Sequence, residues 1–283
     1  MTSQGAVDWT AILAQPGVRA LMDLAVQEDV GGGDITTRAI FAKPQRVTAT
    51  VITRCPTVAC GLPLAEALLR RFDLEVSNGS AEGQKLTAGA PLMMIRGEVG
   101  QLLTIERCVL NFLMRLCGVA HAAHLAVAAV PKGCKAQIYD TRKTTPGWRV
   151  LEKAAVRTGG GQNHRVGLFD GVLIKDNHIQ AAGSVAEAVR RARSCGLPVE
   201  VEIDALAQLD EALQTRAEVI LLDNFVDADM AEAVRKVAGR AILEASGGVT
   251  LDRLPAIART GVDRISMGAL THSARPADLS LEF

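Results

Sequence analysis

Aromatic side chains are scarce in this sequence, since Trp, Tyr and Phe make up only 3% of its 283 residues. Hydrophobic residues nevertheless reach 48%, so Leu, Val, Ile and Ala must fill a large core. Many small aliphatic residues and 26 glycines suit packed layers of helices and strands better than an all-β sandwich. The length is comfortable for two domains of ordinary size.

Net charge is also absent, because 31 Lys and Arg balance 31 Asp and Glu. A general nucleic-acid-binding protein normally shows an excess of basic residues, so the balance argues against that class. Any anion that the protein binds must therefore be held by a local concentration of positive charge.

Long apolar runs and targeting signals are missing as well. No stretch reaches the ~18 uninterrupted apolar residues that a membrane span needs, and the most apolar one, 119–130, contains two histidines. The N-terminal MTSQGAVDWT has no basic region followed by an apolar run, so we expect a cytoplasmic protein. The six cysteines form no CxxC pair and no zinc-ligand spacing, which predicts ordinary reduced thiols. A metal or redox role stays the alternative.

The first hundred or so residues mix helical and strand patterns. Apolar spacing predicts helices over 7–28 and 62–72, and alternation predicts a strand over 47–53. Residues 28–37 are a turn-rich break, and 79–91 are typical of hairpin connections.

Residues 102–116 form a clear amphipathic pattern that we expect to end the first domain. One stripe at helical spacing is apolar, and it consists of Leu102, Ile105, Val109, Phe112 and Leu116. Another stripe of the same helix carries Arg107, Asn111 and Arg115.

From about residue 135, strands and helices alternate. The predicted strands are 136–139, 171–175, 199–203, 219–222, 241–244 and 264–267. The helical stretches between them are 184–194, 206–214, 227–237 and 251–259. Repeating β–α units imply a parallel sheet. Six strands with right-handed crossovers fall short of the usual eight, so we predict an α/β fold with an open, incomplete β/α barrel. A flat doubly wound sheet is the alternative.

Positive charge concentrates where the first two of these strands end. From residue 140 to 178 there are seven Lys or Arg and two His, against four Asp or Glu. The charges sit among glycines and strand ends, and Arg binds carboxylate or phosphate in two places at once. This favours an anion site over a solvated basic face. Lys175 closes an apolar strand and is open to three readings: a fixed cation, a Schiff-base lysine of an aldolase-like enzyme, or an exposed strand-end residue.

Acidic residues end the next two strands. Alternation places Glu200 and Glu202 on the same side of their strand, and Asp223 ends the strand that follows. Such carboxylates can hold Mg²⁺ or stabilise positive charge on a ribose ring during glycosyl transfer. A structural salt-bridge network is the alternative.

The last two β–α units offer a phosphate site. Ser246, Gly247 and Gly248 form a turn between a strand and a helix, and Gly268 follows the next strand. Such turns present backbone N–H groups to an anion, and β/α barrels often bind phosphate after their final strands. A plain tight turn is the alternative. Together these motifs suggest a phosphorylated sugar beside a second substrate that carries carboxylates.

The sequence resembles the quinolinate phosphoribosyltransferase family, also called carboxylating nicotinate-nucleotide pyrophosphorylase. The resemblance runs nearly end to end and is most specific over 140–179. Its motifs are EDVGGGDITT at 28–37, ERCVLNFLMRLCGVA at 106–120, DTRKTTPGWRVLEKAAVRTGGGQNHRVGLFDGVLIKDNHI at 140–179, VEVEID at 199–204, ILLDNF at 220–225, LEASGGV at 243–249 and ISMGALTHSA at 265–274.

The resemblance implies a fold, an assembly and a reaction. The domains would be an N-terminal α/β sandwich over 1–115, joined by 272–283, and an open β/α barrel over 116–271. The enzyme would be a homodimeric pentosyltransferase of NAD biosynthesis. It would convert quinolinate and phosphoribosyl pyrophosphate (PRPP) to nicotinate mononucleotide, pyrophosphate and carbon dioxide, with Mg²⁺ and no organic cofactor.

The resemblance also implies roles for individual residues. Quinolinate would be held by Arg142, His164, Arg165 and Lys175, and by Arg107 from the partner subunit. Lys143, Glu202 and Asp223 would be catalytic, with Glu202 and Asp223 also near the metal, directly or through water. The 5-phosphate would be held by Ser246, Gly247, Gly248 and Gly268. One departure is Ala245, where many members have a second Ser.

Other functions remain alternatives at this stage. A relative that acts beside molybdate transport shares the fold, and a nicotinate-specific phosphoribosyltransferase would share much of the site. An aldolase built on Lys175 and a non-catalytic ligand-binding protein belong to other classes. The combined set of Arg142, His164, Arg165 and Lys175 favours a dicarboxylate substrate.

Overall fold

The computed structural model describes residues 6–283 and divides the chain into two compact units. The second unit contains Leu125–Lys143 and Gly161–His272, and the first contains the rest of the described chain. By its contacts, the segment Thr144–Gly160 groups with the first unit. The domain boundaries predicted from the sequence stay a prediction.

An antiparallel sheet of four strands forms one layer of the first unit. From edge to edge its strands are Leu279–Glu282, Arg46–Thr53, Pro91–Glu98 and Glu75–Asn78. Burial alternates along the second of them, where Ala49 and Val51 face the core, as expected for a sheet with one buried face. Two short strands, Thr57–Val58 and Lys85–Leu86, pair as a separate ribbon.

The helices of the first unit include a long central one. They are Trp9–Ala14, Pro16–Val30, Ile35–Ile40, Leu62–Arg70, Val99–Ala129 and Arg149–Thr158. The last residues of the long helix, from Leu125, belong to the second unit. The single helix predicted over 7–28 is two helices, because Gln15 precedes a proline and is extended. The break predicted over 28–37 is partly helical, since Asp34 caps a new helix by accepting a hydrogen bond from the Thr37 amide at 2.9 Å.

The long helix of 31 residues extends well beyond the predicted 102–116. All five residues of the predicted apolar stripe are buried, which confirms that face as core. Within residues 6–283, this is also the helix whose length and mean hydropathy of 1.5 would allow a membrane span. Half of its most apolar window is buried inside the protein, so we interpret it as a core helix.

The end of the chain packs closely against this helix. A Cβ at Gly118 would lie 2.1 Å from the backbone oxygen of Arg275, so only glycine leaves room for that segment. The amide of Ala277 donates to the backbone oxygen of Met114 at 2.8 Å. These contacts place the last residues next to the helix before they enter the sheet.

A buried carboxylate links three segments of the first unit. The side chain of Glu152 is fully buried, and its Oε1 accepts from the guanidinium of Arg115 at 2.5 Å. Thr145 donates its amide to Glu152 Oε2 at 3.0 Å and its hydroxyl to Oε1 at 2.8 Å. Arg115 also donates to the backbone oxygen of Ala274 at 3.1 Å. The charge is therefore both paired and hydrogen-bonded, as burial requires.

The second unit is built on a parallel sheet of six strands. In chain order the strands are Gln137–Tyr139, Val172–Ile174, Val199–Ile203, Val219–Asp223, Ile242–Ser246 and Arg264–Ser266. The helices are Asp176–Ala182, Val185–Ala192, Leu209–Gln214, Asp227–Val237, Leu254–Arg259 and Ala269–His272, with short 3-10 turns at Arg193–Cys195 and Leu206–Gln208.

The order of these strands confirms an open, incomplete β/α barrel. Strands two to six lie side by side in chain order, and the first strand lies beyond the sixth. A doubly wound sheet would instead run outward from a switch point in both directions. In the described part of the chain the first and second strands do not pair, so the barrel stays open between them.

We expect Glu152→Ala to destabilise the protein strongly. The substitution leaves the Arg115 guanidinium, which is 20% exposed, without its carboxylate and leaves the Thr145 amide without its acceptor. Loss of one partner of a buried pair should lower the free energy of unfolding by about 3–5 kcal/mol, measured by urea denaturation.

The matched control is Glu187→Ala. Glu187 pairs with Arg190 and Arg191 on the surface, where the two arginine side chains are 70% and 61% exposed. This variant should unfold close to the wild type. Equal destabilisation by the two substitutions would contradict the structural role of Glu152.

Candidate active site

A cavity of about 380 Å³ lies where the parallel strands end. Tyr139 is followed by Arg142 and Lys143, Ile174 is followed by Lys175, and Asp223 and Ser246 end their own strands. All of the lining residues belong to the second unit, and they are Thr141, Arg142, Lys143, His164, Arg165, Leu173, Lys175, Glu202, Leu221, Asp223, Glu244, Ser246 and Ser266.

The structure brings most of the predicted site residues together. Eight of them line this one cavity: Arg142, Lys143, His164, Arg165, Lys175, Glu202, Asp223 and Ser246. The three predicted glycines are outside the lining, although Gly247 and Gly248 directly follow Ser246. Arg107 lies on the exposed side of the long helix in the first unit.

Three cations, Arg142, Arg165 and Lys175, line the part of the cavity that we call its basic side, and the first two are neighbours. Burial, followed by the positive charge of Arg142, lowers the pKa of Arg165 from its usual value. The Arg165 side chain is held in place by donating to the backbone oxygen of Gly171 at 3.1 Å. Two neighbouring guanidinium groups repel each other, so a ligand with two negative charges would relieve the repulsion.

One ion pair connects the basic side to the acidic side, which is the part of the cavity lined by Glu202 and Asp223. Lys175 Nζ lies 2.8 Å from Glu202 Oε2, with side-chain exposures of 46% and 16%. The backbone amide of Lys175 donates to His178 Nδ1 at 3.0 Å, at the start of the following helix. The cation and carboxylate, which the sequence assigned to different substrates, therefore contact each other in this structure.

The glycine turn after Ser246 has a backbone that only glycine adopts easily. Gly247 and Gly248 have φ of +90° and +54°. A Cβ on Gly247 would lie 2.2 Å from Asn224 Oδ1, so the turn packs directly against the neighbouring strand end. Gly268 lies beside Lys143, where an added Cβ would come within 3.0 Å of Lys143 Cδ.

Sequence reasoning missed Glu244, a buried residue in the lining of the cavity. Glu244 is fully buried, and its pKa is raised to about 7, first by burial and then by the charge of Glu200. The predicted strand ended at Glu244, whereas the observed strand continues to Ser246, so Glu244 lies two residues deeper than expected. The available signal was the alternation that puts it on the same face as Ser246.

Two sets of residues offer ligand atoms of the type that metals prefer. Glu202 and Asp223 both present carboxylates to the cavity, and oxygen ligands suit Mg²⁺. In the second set, His164, Glu200 and Glu244 have ligand atoms within 4.8 Å of one another.

Comparisons with other proteins agree with the family resemblance. The family described as quinolinate phosphoribosyl transferase, C-terminal domain, matches residues 119–282, and its N-terminal domain matches residues 34–117. The carboxylating nicotinate-nucleotide pyrophosphorylase of Mycobacterium leprae is 44% identical over 268 residues, covering 91% of this chain and 94% of that protein. A mitochondrial decarboxylating quinolinate phosphoribosyltransferase of Nicotiana tabacum is 39% identical, covering 94% of this chain and 82% of that protein.

A solved structure agrees equally well. The nicotinate-nucleotide pyrophosphorylase from Francisella tularensis superposes with a TM-score of 0.91 at 38% identity and covers 99% of both chains. The similarity thus includes both units and the strand ends that line the cavity. The chain belongs to the quinolinate phosphoribosyl transferase family.

Proposed function

We propose that the chain is a decarboxylating quinolinate phosphoribosyltransferase of NAD biosynthesis. It converts quinolinate and PRPP to nicotinate mononucleotide, pyrophosphate and carbon dioxide. The observation that carries the proposal is the charge distribution of the one cavity, where Arg142, Arg165 and Lys175 face Glu202 and Asp223. A dianion and a ribose that develops positive charge need these opposite charges within one pocket.

Quinolinate is bound at the basic side. Arg142 and Arg165 each present a planar guanidinium, which matches the geometry of a carboxylate. Burial, followed by the charge of Arg142, lowers the pKa of Arg165, and the repulsion between the two cations is relieved when two carboxylates bind. Lys175 adds a third cation once it leaves Glu202 or is shared between that residue and the substrate.

PRPP is bound at the acidic side and at the glycine turn. Ser246 with Gly247 and Gly248 holds the 5-phosphate, since φ values of +90° and +54° let two successive amides turn toward an anion. Gly268 leaves room for the Lys143 side chain, which lines the same cavity as Ser246. Lys143 then neutralises the pyrophosphate as it leaves.

Mg²⁺ fits this arrangement as the partner of PRPP. Glu202 and Asp223 present carboxylates to the cavity, and hard cations such as Mg²⁺ prefer oxygen ligands, directly or through water. When bound, the ion neutralises charge on the pyrophosphate. One carboxylate oxygen of Glu202 is paired with Lys175, so release of Lys175 toward quinolinate also frees that oxygen.

The reaction needs positioning more than proton transfer in its first step. Pyrophosphate leaves C1 of the ribose, and Glu202 and Asp223 stabilise the positive charge that develops on the ring. Arg142, Arg165 and Lys175 place the pyridine nitrogen beside C1, so part of the rate gain is positional. Alkylation of the ring nitrogen then makes loss of the adjacent carboxylate easier, and a nearby cation stabilises the charge left behind.

The working assembly that we propose is a cytoplasmic homodimer. Arg107 is exposed on the long helix of the first unit, so its side chain is available to contact a partner subunit. In a symmetric dimer each subunit would contribute Arg107 to the other's site.

Labelled carbon dioxide is the direct test of the reaction. We expect the purified protein with PRPP, Mg²⁺ and carboxyl-labelled quinolinate to release labelled carbon dioxide and to form nicotinate mononucleotide in equal amounts. Nicotinate in place of quinolinate should be a poor substrate, because it lacks one of the two carboxylates. Absence of mononucleotide from the complete mixture would reject the proposal.

Two alanine variants separate the proposed roles within the cavity. Lys143→Ala should lower turnover sharply with little loss of quinolinate affinity. Arg142→Ala should weaken quinolinate binding by about 10- to 100-fold, the value of one or two lost charged hydrogen bonds. Steady-state kinetics and direct binding measure the two quantities. Equal effects of both variants on both quantities would contradict these roles.

Mixed dimers test the contribution of Arg107. Arg107→Ala and Lys143→Ala should each be nearly inactive alone. After the two are mixed and subunits exchange, each heterodimer has one intact site, so activity should return to about a quarter of the wild-type value. Failure to recover activity despite exchange, shown by a tag on one subunit, would mean that Arg107 acts within its own subunit or not at all.

A further inference from the structure

Two separate segments of the chain supply the two arginines of the basic side. Arg142 follows the strand Gln137–Tyr139, and Arg165 follows a stretch that pairs with the end of the same strand at Gln162. Between these segments the chain runs through Thr144–Gly160, which groups with the first unit. The two arginines are therefore brought together by bonds between their segments and not by closeness in the sequence.

A short parallel pairing joins the two segments. The amide of Gln162 donates to the backbone oxygen of Ile138 at 2.7 Å, and the amide of Asp140 donates to the backbone oxygen of Gln162 at 3.0 Å. These bonds fix the start of the second segment against the end of the strand. Beyond them, the connection toward the cavity is made by the side chain of Asp140.

Asp140 makes this connection through both oxygens of its carboxyl group. Oδ1 accepts from the backbone amide of His164 at 2.8 Å, and Oδ2 accepts from Nδ2 of Asn163 at 2.6 Å. The residue is fully buried. A carboxylate suits this place, because it accepts on both oxygens whereas a side-chain amide accepts on one only. Hydrogen bonds to a charged acceptor are also stronger than those between neutral groups. We call Asp140 with Asn163 and His164 the aspartate clamp.

The aspartate clamp acts on the backbone close to both arginines. Asp140 is two residues before Arg142, and the amide that it holds belongs to His164, the residue before Arg165. The two arginines line one cavity, and their positive charges repel each other. The two carboxylates of quinolinate lie on one rigid ring, so the separation of the arginines must be fixed for both to be bound together.

We propose that Asp140 is a positioning residue for quinolinate, which fixes Arg142 and Arg165 relative to each other by holding their two segments together. The inference rests on the proposed function, because it assumes that a dicarboxylate binds between these arginines. Asp140 lies outside the lining of the cavity, so it acts on the substrate through the arginines and not by contact.

The proposed role separates the two substrates. Glu202, Asp223 and Ser246 belong to the third, fourth and fifth strands of the sheet, whereas the clamp is attached to the first strand. Lys143 has a contact of its own, since its backbone oxygen accepts from the hydroxyl of Thr271 at 2.7 Å. Loss of the clamp should therefore weaken quinolinate binding and leave PRPP binding close to that of the wild type.

Two alanine variants remove the clamp to different degrees. Asp140→Ala removes the acceptor of both hydrogen bonds and should raise the dissociation constant of quinolinate by about 10- to 100-fold, the effect of misplacing a binding group by about 1 Å. Asn163→Ala removes one donor and should raise it by about 3- to 10-fold. Calorimetry measures the binding of quinolinate and of PRPP, and steady-state kinetics should show a larger change in the KM of quinolinate than in kcat.

A compensating pair of substitutions separates positioning from general damage. Asn163→Asp alone sets two carboxylates against each other and should weaken quinolinate binding. Addition of Asp140→Asn supplies a donor at position 140 for the new carboxylate and keeps an acceptor for the His164 amide. The double variant should bind quinolinate within about threefold of the wild type. A double variant that binds no better than Asn163→Asp would overturn the inference.

The matched control is Asp263→Ala, in the same sheet. Asp263 accepts from the backbone amide of Leu243 at 2.8 Å and directly precedes the strand Arg264–Ser266, so it lies at the opposite end of the strands from the cavity. This variant loses a comparable hydrogen bond and should lower the melting temperature without changing quinolinate affinity. Loss of quinolinate affinity in the control equal to that in Asp140→Ala would overturn the inference.

The remaining outcomes are also decisive. Wild-type affinity for quinolinate in Asp140→Ala, or an equal loss of PRPP affinity, would overturn the proposed role. If Asp140→Ala does not fold, Asn163→Ala and the compensating pair decide the same question. Normal binding by these variants removes only this inference, whereas failure of quinolinate to bind the wild type removes the proposed function with it.

Discussion

Six strands of the second unit run in one direction, so their carboxyl ends share a single edge. A polar side chain lies at or just after the end of each strand. Cations such as Arg142 and Lys175 follow the first two strands, and the carboxylates of Glu202 and Asp223 lie at the ends of the next two. Lys175 and Glu202 meet at 2.8 Å because the strands that carry them are neighbours. The cavity and its opposed charges both depend on this parallel order.

The repeating pattern made most of this edge predictable. Buried parallel strands are continuous apolar runs, so their positions could be read to within a residue or two, as at 199–203. Residues directly after such runs, including Arg142, Lys175 and Asp223, were placed in one site before any contact was visible. Family resemblance added roles to those residues, and the roles of individual side chains remain predictions.

What could not be predicted depends on tertiary contacts. The observed strand Ile242–Ser246 runs two residues past the predicted end, so Glu244 lies within the strand, and the pairing of that strand with its neighbour cannot be read from the local sequence. His164 comes from an irregular segment without periodicity, so its approach to Glu200 was invisible in the sequence. In the first forty residues, the observed helix boundaries differ from the predicted ones for local reasons. Gln15 precedes a proline and interrupts the first predicted helix, and Asp34 caps a helix that was not predicted.

The sheet of the first unit joins segments that are far apart in the sequence. Arg46–Thr53 is covered on one edge by Leu279–Glu282, which is synthesised more than two hundred residues later. Before residues 279–282 are synthesised, one edge of the early strand has no partner and is open to pairing with another chain. Completion of this sheet therefore waits for a segment far along the chain, and a chain terminated before residue 279 would expose an unpaired strand edge.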